Sequence, residues 1–103
     1  MAKANYREEN GRYVCELVVS NQLGFHARPS ALIAKMFLPY DVDVACTVRG
    51  NRVSAKSIMG LMTLEASLGD TVIFEVSGDR LKEEGPEALD KIADLFEKKF
   101  FEA

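Results

Sequence analysis

The chain has 103 residues, 48% of them hydrophobic and 28% charged, which is room for one domain around one core. A net charge of −3 leaves no electrostatic footprint for nucleic acid, and no apolar run approaches the length of a membrane span. Residues 1–10 lack the apolar centre of a signal peptide, so a cytoplasmic protein that is not membrane-embedded is the default expectation.

Taken in order, residues 1–11 are polar and charged without usable periodicity and read as a flexible extension. From Arg12 the pattern alternates, with Tyr13, Cys15, Leu17 and Val19 on one side, as in a half-buried strand. Val14 and Val18 interrupt its polar side. Ser20-Asn21-Gln22-Leu23 forms a loop. A helix then runs from about Ala27 to Leu38, with Leu32/Met36 and Ile33/Phe37 spaced for an apolar face, and Pro39 stops it. Asp41 to Arg49 is the clearest strand, because Val42, Val44, Cys46 and Val48 alternate with Asp43, Ala45, Thr47 and Arg49. Gly50-Asn51 makes a tight turn into a short returning strand, Arg52–Ser54.

Ser57 to Ser67 reads as a short helix ending before Gly69-Asp70. Ile58, Met59, Leu61, Met62, Leu64 and Leu68 are too many apolar residues for one buried face, so some are expected at the surface. Thr71–Ser77 is the last strand, Gly78–Gly85 a charged loop, and Pro86 opens a final helix carrying Leu89, Ile92, Ala93, Phe96 and Phe100 on one side. The order β-α-β-β-α-β-α, with strands that have one polar face, predicts an α+β fold. In it, helices cover one side of an antiparallel sheet. Cys15 and Cys46 lie on the apolar side of their strands and read as buried small hydrophobes. With one histidine and two separated cysteines, no metal or cofactor site is expected.

The stretch Gly24-Phe25-His26-Ala27-Arg28-Pro29 holds the only histidine. Gly24 frees the backbone after the first strand, and Pro29 suits the first turn of a helix. His26 therefore stands at a helix N-terminus, where free N–H groups and the helix dipole favour an anion. Arg28 adds a planar cation that matches phosphate oxygens. A nucleophilic imidazole beside a phosphate cradle suggests a phosphorylated histidine, although a helix cap and a solvated helix charge would use the same residue types.

The stretch Gly24–Ala31 resembles the active-site signature of the HPr family. These are the histidine-containing phosphocarriers of the bacterial phosphoenolpyruvate-dependent sugar phosphotransferase system. Ala55–Leu64 resembles the same family's regulatory-serine motif, and the gap between the two blocks fits as well. The resemblance covers roughly residues 13–100, so residues 12–103 are taken as the HPr-like domain. It implies an open-faced β-sandwich of four antiparallel strands with three helices on one face. By the same resemblance, His26 is phosphorylated on Nδ1 and Arg28 steadies the phosphoryl group. The N–H groups of Ala27 and Arg28 support it, and Gly24 and Pro29 shape the site. Ser57 matches a serine modified by a dedicated serine kinase/phosphorylase in some lineages; its residue type equally fits a helix N-cap. Phe25, Ile58, Met59 and Met62 match a partner-docking face.

The expected function is that of a carrier rather than an enzyme. It accepts phosphate from the first enzyme of the system and passes it to sugar-specific second-enzyme domains. The alternative is a regulatory protein-binding module of the same fold, in catabolite control or a nitrogen-related branch. The extension before Arg12 and the lengthened 78–85 loop depart from the family pattern. An independent acid–base enzyme is disfavoured because no carboxylate lies near His26 in the sequence.

Overall fold

The computed structural model describes residues 2–102. Its elements are β1 (Tyr6–Glu9), β2 (Arg12–Val18), α1 (Ala27–Phe37), β3 (Asp43–Val48), β4 (Asn51–Ser54), α2 (Ile58–Thr63), β5 (Thr71–Ser77) and α3 (Leu81–Glu97), followed by a tight turn over Lys99–Phe101. The strands form one antiparallel sheet in the order β1-β2-β5-β3-β4. In register, Cys15 and Cys46 flank Phe74, and Tyr13 and Val44 flank Val76. Phe74, Val76 and Cys46 are fully buried, and the helices pack on this face. Phe37 from α1, Leu61 from α2, and Leu89, Ile92 and Phe96 from α3 complete the core. The opposite face carries an ion-paired row in which Glu75 lies between Arg12 and Arg52.

The sheet has five strands rather than the expected four, and the extra one corrects the expectation of a flexible extension. Asn10-Gly11 links β1 to β2 with both residues at positive φ (51° and 77°), as a two-residue hairpin turn requires. Every residue of β1 is exposed, so the strand has no buried face to produce an alternating pattern. Residues 2–5 cross to α3, where the Ala2 and Ala4 backbone N–H groups donate to Asp94 and Asp90 at 3.1 and 2.8 Å. Carboxylates remote in sequence thus hold a segment that has no apolar signal of its own. The added strand also accounts for Val14, only 4% exposed between Arg7 and Glu75 on the face that carries Arg12 and Glu16.

Three boundaries differ from the sequence reading. The β3–β4 turn falls at Arg49-Gly50, both at positive φ, and Asn51 already belongs to β4. Helix α2 stops at Thr63 because Leu64 caps it and Glu65 turns to φ 50°. Helix α3 begins at Leu81 and carries Pro86 inside it, so the expected charged loop is largely helical. Its first two turns are fixed from outside: Asp41 N–H donates to Glu84 at 2.8 Å and the Tyr40 hydroxyl to Glu87 at 2.7 Å. Gly85 permits this path, since a Cβ there would lie 2.9 Å from Leu81 and 3.1 Å from the Tyr13 ring.

Candidate functional site

The loop from β2 to α1 is shaped by Gly24. Its φ is +64°, and a Cβ there would stand 2.0 Å from the Ala66 carbonyl oxygen. Only glycine fits so close to a neighbouring backbone. Phe25 N–H then donates to that carbonyl at 2.9 Å, and the Phe25 ring turns into the core edge-on to Phe96 and Phe100. Phe25 is 3% exposed, which corrects its expected place on a docking surface: its ring anchors the loop. The buried Ser30 hydroxyl donates back to the Phe25 carbonyl at 3.1 Å and locks the entry into α1.

His26 is the N-cap residue of α1, with extended backbone (φ −71°, ψ −174°), but its side chain makes no cap bond. Ser30 N–H donates to the His26 carbonyl at 3.1 Å as the helix starts. Ala27, Arg28 and Pro29 form the first turn, so the Ala27 and Arg28 N–H groups precede that bond and Pro29 has none to lose.

The imidazole instead meets a carboxylate. Nε2 lies 2.9 and 3.1 Å from the two oxygens of Glu102. Arg28 Nη1 donates to the Phe100 carbonyl at 2.6 Å and lies 3.3 Å from Glu102 Oε2. Asn21 Nδ2 donates to Glu102 Oε1 at 3.0 Å and to the Gly24 carbonyl at 2.9 Å. Partial burial works against the Glu102 charge. The Asn21 amide, the His26 ring and the Arg28 guanidinium outweigh it and hold the carboxyl below its usual range.

Glu102 and Asn21 are the site residues that sequence reasoning missed. Glu102 reaches His26 because Lys99, Phe100 and Phe101 all take positive φ (53°, 54° and 60°), a left-handed turn that folds the chain end back across the helix start. Phe100, fully buried against Phe25 and Phe96, anchors that turn. Local sequence carries no signal for it, since none of the three residues is one that favours this conformation.

The second block lies on α2. Ser57 is its N-cap, with Oγ accepting the Gly60 N–H at 3.0 Å. Leu61 and Leu64 face the core, whereas Ile58, Met59 and Met62 are 44%, 72% and 37% exposed. Helices α1 and α2, which carry the two blocks, pack against each other. Among the described residues no group of three or more potential metal ligands comes together.

An open-faced sandwich with a histidine at a helix N-terminus beside an arginine has the arrangement expected of the phosphocarrier class. The comparisons with known proteins agree. Residues 14–98 match the family model described as "PTS HPr component phosphorylation site". The phosphocarrier protein HPr of Xylella fastidiosa (strain 9a5c) is 36% identical over 87 residues, covering 84% of this chain and 93% of its own. The phosphocarrier protein NPr of Shewanella violacea is 31% identical over 88 residues, covering 85% and 92%. The crystal structure of an HPr from Thermoanaerobacter tengcongensis superposes with a TM-score of 0.77 at 33% identity, over 87% of this chain and 97% of that one. The chain belongs to the HPr family and is a phosphocarrier of the phosphotransferase system. No described helix is long and apolar enough to cross a membrane.

Proposed function

We propose that the phosphoryl group is carried on His26 Nδ1, and the observation that carries this reading is the Glu102 contact at 2.9 Å on the other ring nitrogen. A carboxylate on Nε2 favours the proton there and leaves the Nδ1 lone pair as nucleophile. That pair attacks the donor's phosphorus as the bond to the donor atom breaks, and the leaving pair stays with the donor. The product is a phosphoimidazolium that still bears its Nε2 proton, its positive charge paired with Glu102. Onward transfer then releases neutral imidazole, a better leaving group than imidazolate. Arg28 is the cation for the phosphoryl oxygens. Its internal bonds run through Nη1, so the remaining donors of the guanidinium serve the phosphate. The Ala27 and Arg28 N–H groups and the α1 dipole support the same charge.

The first enzyme of the system is the donor and sugar-specific second-enzyme domains are the acceptors, all reached in the cytoplasm. Ile58, Met59 and Met62 offer them an adaptable apolar surface. Ser57 is a regulatory site beside that surface, where a serine kinase would place a phosphate among residues that partners must bury. The regulatory-module alternative is disfavoured because such a module has no need of His26, Arg28 and Glu102 in contact.

The test is incubation with phosphoenolpyruvate and a first enzyme of the system. Wild type should gain an acid-labile, base-stable phosphate on Nδ1, read by ¹⁵N and ³¹P spectroscopy, and His26→Ala should gain none. Undiminished acid-labile labelling of His26→Ala would refute the assignment.

A further inference from the structure

Asn21 is a buried polar group that the phosphotransfer step does not itself use. Its side chain is 0% exposed, five residues before His26. Both bonds it makes are donated by Nδ2, to the Gly24 carbonyl at 2.9 Å and to Glu102 Oε1 at 3.0 Å. Its Oδ1 is buried without a partner. Turning the amide over would set Oδ1 against a carbonyl and a carboxylate, so the orphaned oxygen is the lesser cost. The position thus requires an N–H donor in a place where an apolar residue would bury more easily.

The acceptor of that donor matters. Glu102 Oε1 is shared: Asn21 Nδ2 reaches it at 3.0 Å and His26 Nε2 at 3.1 Å. The Asn21 end is fixed, because the Gly24 carbonyl is held by a glycine seated against Ala66. The Glu102 end sits on a left-handed turn that L-residues disfavour and that needs outside anchors to persist. We propose that Asn21 is a positioning residue for phosphoryl transfer: its amide places Glu102 Oε1, which in turn fixes the tautomer and orientation of the His26 ring. The proposal rests on His26 as the phosphate acceptor.

The test is a double-mutant cycle in the full chain with Asn21→Ala, Glu102→Ala and both together. Three quantities are read: ¹⁵N shifts of the unphosphorylated His26 ring at a pH where it is neutral, the initial phosphorylation rate, and the melting temperature. Asn21→Ala should shift the ring away from the Nε2–H tautomer and slow phosphorylation about tenfold, the scale of one charge-assisted hydrogen bond. The double variant should be no slower than Glu102→Ala alone. If Asn21→Ala does not fold, Asn21→Asp keeps the shape and sets a carboxylate against Glu102; the same tautomer shift is expected, and its absence counts against the proposal. A lowered melting temperature with unchanged ¹⁵N shifts and rate would make Asn21 merely structural and overturn it. Additive losses in the double variant would also overturn it. Failure of wild type to accept phosphate would defeat the acceptor reading instead, while the tautomer measurement, which needs no phosphate, still decides whether Asn21 acts through Glu102.

Discussion

His26 and Glu102 are 76 residues apart in the chain, yet Nε2 of one lies 2.9 Å from Oε2 of the other. This pair links residue 102 to the ring proposed to carry the phosphate, and the carboxylate charge is what Glu102→Gln removes. The variant can still accept an N–H bond but cannot pair with a phosphoimidazolium. Phosphorylation of His26 should slow about tenfold while the fold stays intact, as expected for loss of one charge-assisted bond. Rates equal to wild type at low carrier concentration would show that the carboxylate charge is dispensable.

Gly24→Ala combines two penalties, a left-handed residue with a Cβ and a 2.0 Å approach to the Ala66 carbonyl oxygen. A loss of about 2 kcal/mol or more in urea unfolding is expected. The Asn21–Phe25 loop should move with it, so phosphorylation should fall by more than stability alone explains.

Phe100 and Phe101 are adjacent, with opposite environments. Phe100 is fully buried against Phe25 and Phe96, and Phe101 is 66% exposed. Phe100→Ala should cost about 3–5 kcal/mol, as for other deleted core aromatics. It should also release Glu102 from His26. Phe101→Ala should change stability by no more than about 0.5 kcal/mol. Chemical denaturation of both variants checks the contrast.

On α2, Leu61 is fully buried whereas Met59 and Met62 are 72% and 37% exposed. Met59→Ser should leave unfolding free energy within about 0.5 kcal/mol of wild type and raise the carrier concentration needed for half-maximal transfer. Ser57→Asp should do the same to phosphorylation of His26, since the added charge lies beside Ile58 and Met59 while its carboxylate can still accept the Gly60 N–H. Saturation curves with thermal melts alongside separate docking from folding.

Burial pushes the Cys46 thiol from 9.0 up to about 12, and Cys15 is raised for the same reason. Neither should react with a thiol reagent at neutral pH until the protein unfolds. The unfolded chain loses the Cys46 proton near 9.0 whereas the folded chain keeps it to about 12. Stability should therefore decline as pH rises through that window. Cys46→Ala should flatten the decline, which unfolding midpoints across the alkaline range would measure.

The sequence by itself determined the two helices that frame the site, the alternating strands and their burial. In these segments the apolar residues recur at the period of the local structure, as in Val44, Cys46 and Val48 on β3 or Leu89, Ile92 and Phe96 on α3. It also placed His26 and Arg28 at a helix start, because Gly24, Pro29 and that start are neighbours in the chain. The tertiary structure decided the rest. Strand β1 has no buried face and is held by backbone pairing, while Asp90 and Asp94 on α3 hold the residues just before it, so no pattern announced it. Phe25 fills the core between Phe96 and Phe100, a destination that neighbouring residues do not specify. Glu102 and Asn21 enter the site only because a buried Phe100 stabilises a left-handed turn that Lys99, Phe100 and Phe101 would not adopt in isolation. Local propensity is written in neighbouring residues, whereas a carboxylate brought across the fold depends on the packing of the whole core.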